Sequence, residues 1–147
     1  MNLFYKLNEY SPNIAIIDEN LDTHTYKDLL LSADELGKKI TKRATIFLIC
    51  KNSYEFIVSY VGLLRSRAVV FLINNSMNNE KLNYLINLYK PQYILTPQQK
   101  KISGLELNEI FNLNNRYKLF ETNFGIKQTV YKELALLMTT SGSTGSP

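Results

Sequence analysis

ATIFLIC, residues 44–50, is the stretch that decides the fold. Apart from Thr45 it is continuously apolar and rich in β-branched and aromatic side chains, and it ends at the polar boundary Lys51-Asn52-Ser53. A strand that is apolar at every position is covered on both faces, as in a parallel sheet. Ala68–Ile73 repeats the pattern. Between the two runs, Phe56, Ile57, Tyr60, Val61, Leu63 and Leu64 recur at helical spacing, with Asn52 or Ser53 as the cap and Arg65-Ser66-Arg67 as the end. After the second run, Asn74–Asn79 supplies a polar turn, and Leu82, Leu85, Ile86 and Tyr89 mark a further helix closed by Pro91. Tyr93–Leu95 is a third short strand. The order strand-helix-strand-helix-strand predicts an α/β fold with a mostly parallel sheet and flanking helices.

Upstream, Ile14–Asp18 and the polar residues to Asp22 read as a small hairpin leading into a helix. Thr25 is its N-cap with Asp28 three residues on, and Leu29, Leu30, Ala33, Leu36, Gly37 and Ile40 extend it from about Tyr26 to Thr41. Downstream, Gln, Asn and Lys dominate residues 97–129, where Tyr117–Glu121 is at most one short edge-like strand. Leu134–Met138 is expected as a fourth apolar, buried-type strand, with an unpaired edge if the sheet is truncated there, running straight into Thr139–Pro147. Tyr54, Phe56 and Tyr60 are the best aromatic core candidates.

With 45% hydrophobic and 20% charged residues, the 147-residue chain has a globular composition. One domain is the expectation for this length. No apolar run approaches the roughly 20 residues of a membrane helix. Lys6, Asn8 and Glu9 interrupt the start before a secretory signal could form, so a cytoplasmic location is expected. Cys50 is the only cysteine, which excludes an internal disulfide and suggests a small buried hydrophobe. The net charge of +4 has its densest basic stretch, Lys38, Lys39, Lys42 and Arg43, at a helix end. The helix dipole accounts for that placement, and no aromatic–basic motif points to nucleic acid. His24, the lone histidine, has no acidic partner in a readable motif, and no group of His, Cys and carboxylates has metal-ligand spacing.

Loops leaving the carboxyl ends of strands in an open α/β sheet are where ligands bind, and Thr139–Pro147 is such a loop. Gly142 and Gly145 permit the backbone angles of an anion-binding nest. Ser141, Ser143 and Thr144 add short hydroxyl donors suited to phosphate. The Walker A spacing is not met, because only two residues separate the glycines. Composition alone fits a Gly/Ser linker equally well.

The order of residues is more informative. LLMTTSGSTGSP, residues 136–147, resembles the phosphate-binding signature of the adenylate-forming (AMP-binding) superfamily: acyl-CoA synthetases, luciferases and peptide-synthetase adenylation domains. Thr25–Leu29, Asn52–Phe56, Tyr60–Leu64, Lys81–Leu85 and Pro91–Leu95 resemble earlier stretches of the same family in order and spacing. Two departures stand out: Arg65-Ser66-Arg67 replaces a usual Lys-Ala-Gly, and Phe71-Leu72-Ile73-Asn74 lacks the usual closing Pro. The missing Gly and Pro imply a differently shaped turn. The resemblance implies residues 1–147 as the N-terminal α/β subdomain of an ATP- and Mg²⁺-dependent, AMP-forming acid ligase, without its C-terminal domain. Such an enzyme joins a carboxylic acid to ATP and often passes the acyl group to coenzyme A or a carrier-protein thiol. It further implies Thr140, Ser141, Ser143 and Thr144 as hydroxyl donors to the β- and γ-phosphates, with Gly142 and Gly145 shaping the loop. By itself this stretch would be inactive. The other reading is a stand-alone α/β binding module that never catalyses.

Overall fold

A computed structural model describes residues 4–125 and 130–139. A two-stranded antiparallel ribbon, β1 (Ile14–Ile17) and β2 (Thr23–Thr25), leads into α1 (Tyr26–Gly37). Then come β3 (Thr45–Cys50), α2 (Tyr54–Arg65), β4 (Val69–Asn74), α3 (Asn79–Tyr89), β5 (Tyr93–Pro97), β6 (Leu107–Leu113), β7 (Tyr117–Thr122) and β8 (Leu136–Met138). The last six strands in the chain form one sheet in the order β6-β7-β5-β3-β4-β8. β3 pairs parallel with both β4 and β5, and β8 pairs parallel with β4. β7 and β6 are added antiparallel beyond β5.

The continuous apolar run of β3 has the role its composition implies. Ile46 and Leu48 join the core beneath α1 and α2, while Phe47 and Ile49 join a second core beneath α3. Phe47 and Phe71 pack edge-on in that second core, centroids 5.0 Å apart, and the more exposed Tyr89 packs edge-on against Phe71 at 4.8 Å. Each helix start carries the cap its sequence offers. Thr25 and Asp28 close a reciprocal capping box, Ser53 accepts from the Phe56 N–H, and Asn78 accepts from the Lys81 N–H. On α1 and α2 the packing is backbone to backbone: a Cβ added at Gly62 would stand 2.5 Å from the Ala33 carbonyl oxygen. Arg65 fastens the same pair of helices by gripping both carboxylate oxygens of Asp34, at 2.8 and 3.1 Å.

Several elements differ from the sequence expectation. α1 ends at Gly37 rather than Thr41, because the Ile40 N–H turns back to the Gly37 carbonyl, although Ile40 stays buried. Ile57 lies on the outer side of α2, and the buried face instead includes Val58, Val61 and Leu63 with Tyr54; Phe56 and Tyr60 are half-buried. Tyr117–Glu121 belongs to a strand that lies inside the sheet, between β5 and β6, and not at an edge. Its partner β6 was illegible because Asn114 and Asn115, both at positive φ (52° and 53°), turn the chain without glycine in the three-residue connection 114–116. Arg116 N–H donates to the Leu113 carbonyl across that turn. β8 begins at Leu136 and is half-buried to exposed, with Met138 66% exposed; among the described residues it lies at the edge of the sheet, the unpaired edge the sequence allowed for. Among the described residues no helix is long and apolar enough to cross a membrane.

The end of α2 explains the Arg65-Ser66-Arg67 departure. Ala68 N–H bonds the Leu63 carbonyl and Arg67 N–H bonds the Leu64 carbonyl, the paired bonds of a Schellman motif with Arg67 at the left-handed position, φ 61°. The turn is thus one that glycine would occupy without steric cost. Arg67→Gly is expected to raise unfolding stability by about 0.5–1 kcal/mol, and Gly62→Ala to lower it by about 1–3 kcal/mol or more through overpacking, both measured by urea denaturation.

Candidate functional site

At the carboxyl ends of the parallel strands lies an open cleft of about 720 Å³. Cys50, Lys51 and Asn52 form one wall, Asn74, Asn75 and Ser76 another, and Met138 and Thr139 a third, with Leu72 beneath. The walls are therefore the loops that follow β3, β4 and β8. A second depression of about 400 Å³, lined by Asp34, Gly37, Lys38, Gly62 and Arg65, sits by the C-terminal ends of α1 and α2, at the opposite end of the sheet.

Two of the three walls, the β4 and β3 loops, are fixed by bonds to their own backbone. Asn74 accepts from the N–H and hydroxyl of Ser76 at 2.9 and 2.8 Å, closing a tight turn after β4. Lys100 reaches across from the β5 loop and donates to the carbonyls of Asn75 and Met77, at 2.9 and 2.7 Å. Below the β3 loop, the buried Tyr117 hydroxyl donates to the Ile49 carbonyl at 2.9 Å and accepts from the Lys51 N–H at 3.1 Å. Burial pushes the Tyr117 phenol far above its ordinary range, so it stays neutral and serves as a fixed peg. Lys51 itself is exposed at the mouth.

Cys50 is half-buried at the cleft wall, more open than the buried hydrophobe expected of it. Burial raises its thiol above the usual range, and Sγ donates to the Leu48 carbonyl at 3.5 Å, so it is not a poised nucleophile. His24 sits in β2 as expected but does have an acidic neighbour: Nε2 lies 3.2 Å from Asp18 Oδ2, across the turn of the ribbon. Its ring stacks on Tyr54 at 3.7 Å. The pair ties the ribbon to α2 and stands apart from the cleft residues.

Thr140, Ser141, Gly142, Ser143, Thr144 and Gly145 all lie outside the described residues. What is described is their approach: β8 pairs Leu136, Leu137 and Met138 with Val70, Phe71 and Leu72, and Thr139 follows as part of the cleft wall. Sequence reasoning passed over Lys51, Asn74 and Ser76 as site residues. The available signal was their place immediately after apolar strands. The lining carries amides, hydroxyls and an ammonium, donors that suit an oxygen-rich anion. It lacks the carboxylates that Mg²⁺ selects, and no group of three metal-ligating side chains occurs among the described residues. A protein-held Mg²⁺ does not fit the described part of the site.

The family model of the AMP-binding enzyme matches residues 3–147. Tyrocidine synthase 3 of Brevibacillus parabrevis is 26% identical over 133 residues, covering 86% of this chain and 2% of its own length. The chain spans 2–5% of the length of the curated relatives it matches. Among solved structures, the Klebsiella oxytoca NpsA N-terminal subdomain superposes with a TM-score of 0.59 at 13% identity, covering 67% of this chain and 27% of that one. ATP-bound MatB from Rhodopseudomonas palustris gives 0.54 at 21%, covering 60% and 18%. At these identities the structural matches establish the fold.

Two outcomes are expected from the local geometry. Tyr117→Phe leaves the Ile49 carbonyl and the Lys51 N–H without their shared partner and should cost about 1–3 kcal/mol in urea unfolding. The His24 bond, and then the N–H groups of Asn20 and Asp22, hold the Asp18 carboxyl below its usual range. A lowered folded value means stability present at pH above about 4 and lost as pH falls below it, so Asp18→Asn should flatten the acid limb of a Tm-versus-pH curve.

Proposed function

The chain belongs to the AMP-binding enzyme family, and from that membership we propose that it is the N-terminal, phosphate-gripping part of an ATP-dependent, AMP-forming acid ligase. The observation that carries this reading is the course of β8. Because it runs parallel to β4, it releases the segment after Met138 at the carboxyl ends of the strands, beside the amide- and ammonium-lined cleft. A family match that continues to residue 147 includes that segment.

In the proposed reaction a carboxylate oxygen of the acid attacks the α-phosphorus of ATP in line. The bond from that phosphorus to the bridging oxygen breaks, its electron pair leaves with pyrophosphate, and an acyl-adenylate remains. Negative charge grows on the departing group, so preorganised donors around it supply much of the stabilisation. Thr140, Ser141, Ser143 and Thr144 supply hydroxyls to the β- and γ-phosphates, and Gly142 and Gly145 let the backbone approach. Lys51 adds positive charge at the cleft mouth. Attack on the acyl-adenylate by a thiol, of coenzyme A or a carrier protein, would then release AMP.

Positioning both reactants supplies a large part of the acceleration in such a step, and groups for the acid and the adenosine are not assigned to this stretch. Residues 1–147 alone are therefore expected to give no acid-dependent exchange of pyrophosphate into ATP and to bind ATP more weakly than micromolar by calorimetry. In the product of the whole reading frame, Thr144→Ala should lower acid-dependent exchange by about 10²-fold, the scale of losing one transition-state donor. Exchange at the parental rate in that variant would overturn the role of the loop. A full product that binds ATP yet exchanges pyrophosphate with no acid supplied in a broad panel would instead favour a non-catalytic binding module.

A further inference from the structure

Arg43 stands just before β3, at the amino end of the sheet, and its guanidinium binds three backbone carbonyls from distant parts of the chain. Nη1 donates to the Arg67 carbonyl at 2.6 Å, in the turn between α2 and β4. Nη2 donates to the Tyr131 carbonyl at 2.8 Å and to the Leu134 carbonyl, both in the segment that leads into β8. Around this cation the strand starts are stitched together: Val69 N–H bonds the Ala44 carbonyl and Val70 N–H bonds the Ala135 carbonyl, each at 2.9 Å.

β8 needs such a reference point. It has three residues, pairs on one side with β4, and has no described neighbour on the other. Its side chains are half-buried or exposed, so burial selects its register only weakly. A slip of two residues would keep the same side chains on each face, yet it would move the strand's exit by about 7 Å along the sheet. We propose that Arg43 is a positioning residue that sets the register of β8 on β4, and thereby the point at which the segment after Met138 enters the cleft. Its functional consequence rests on reading that segment as a phosphate loop. The choice of arginine follows, since a planar fork reaches several fixed acceptors at once, whereas a lysine ammonium is a single point.

Site-resolved hydrogen exchange on the chain, as wild type, Arg43→Lys and Arg43→Met, tests this. In Arg43→Met the amides of Val70 and Leu137, which bond across the β4–β8 ladder, should exchange at least about tenfold faster, while those of Ile46–Ile49 and Ile94–Leu95 keep their protection; a tenfold change is about 1.4 kcal/mol of local opening. Arg43→Lys, the variant to rely on if Arg43→Met does not fold, should recover less than half of the lost protection. Unchanged exchange in β8, or a loss spread evenly through β3 and β5, would overturn the proposal. Inorganic tripolyphosphate supplies the separate arm. Slowed exchange at residues 139–147 in the wild type, lost in Arg43→Met, supports the link to the loop. No slowing in the wild type overturns the phosphate reading and that link, while the β8 amides still decide whether Arg43 sets the register.

Discussion

The whole arrangement depends on burying β3 on both faces. Its middle residues Ile46, Phe47, Leu48 and Ile49 are all fully buried, and it is hydrogen-bonded to β4 on one side and β5 on the other. A strand in that position needs helices above and below, and the chain supplies them: α1 and α2 cover one face, α3 the other. Because β3, β4, β5 and β8 run the same way, the loops after β3, β4 and β8 collect at one end, and it is there that the polar cleft opens. The location of the site is thus a consequence of strand direction, before any loop residue is considered.

How much of this was legible in the sequence follows from the range of each interaction. β3 and β4 announce themselves because total burial makes every position apolar, and the helix starts are readable because caps act within three residues. The β6–β7 hairpin is the opposite case. Asn114-Asn115 makes the turn without glycine, and the alternation in β6 is broken where the register shifts between Glu109 and Phe111. β8 was legible as a strand but not in its burial: Leu136-Leu137-Met138 is as apolar as a central strand, yet a neighbour decides burial, and among the described residues it pairs with β4 alone.

The site was legible to a different degree. The sequence of residues 139–147 resembles a phosphate-binding motif, and such a resemblance is readable because the motif is local. Lys51, Asn74, Ser76 and Thr139 are brought together only by the sheet. Individually they read as turn residues, which several of them also are. Asn74 spends its side-chain oxygen on the Ser76 turn, so the same residue shapes a wall and serves the fold. Polar residues with two such duties leave no separate trace in composition.

The two ends of the sheet are held by different means, and the difference bears on the departures from the family pattern. At the amino end, Arg43 and Arg65 bind backbone carbonyls and a carboxylate, and Arg67 occupies a left-handed position at a conformational cost of about 1 kcal/mol. At the carboxyl end, Tyr117, Asn74 and Lys100 fix the backbones of the β3 and β4 loops and leave Lys51 exposed at the mouth. Replacing glycine by Arg67 is therefore absorbed by stability at the end remote from the cleft. The paired hydrogen bonds of the turn close with Arg67 in that place, and the strand it launches, β4, meets β8 in register and presents Asn74 to the cleft.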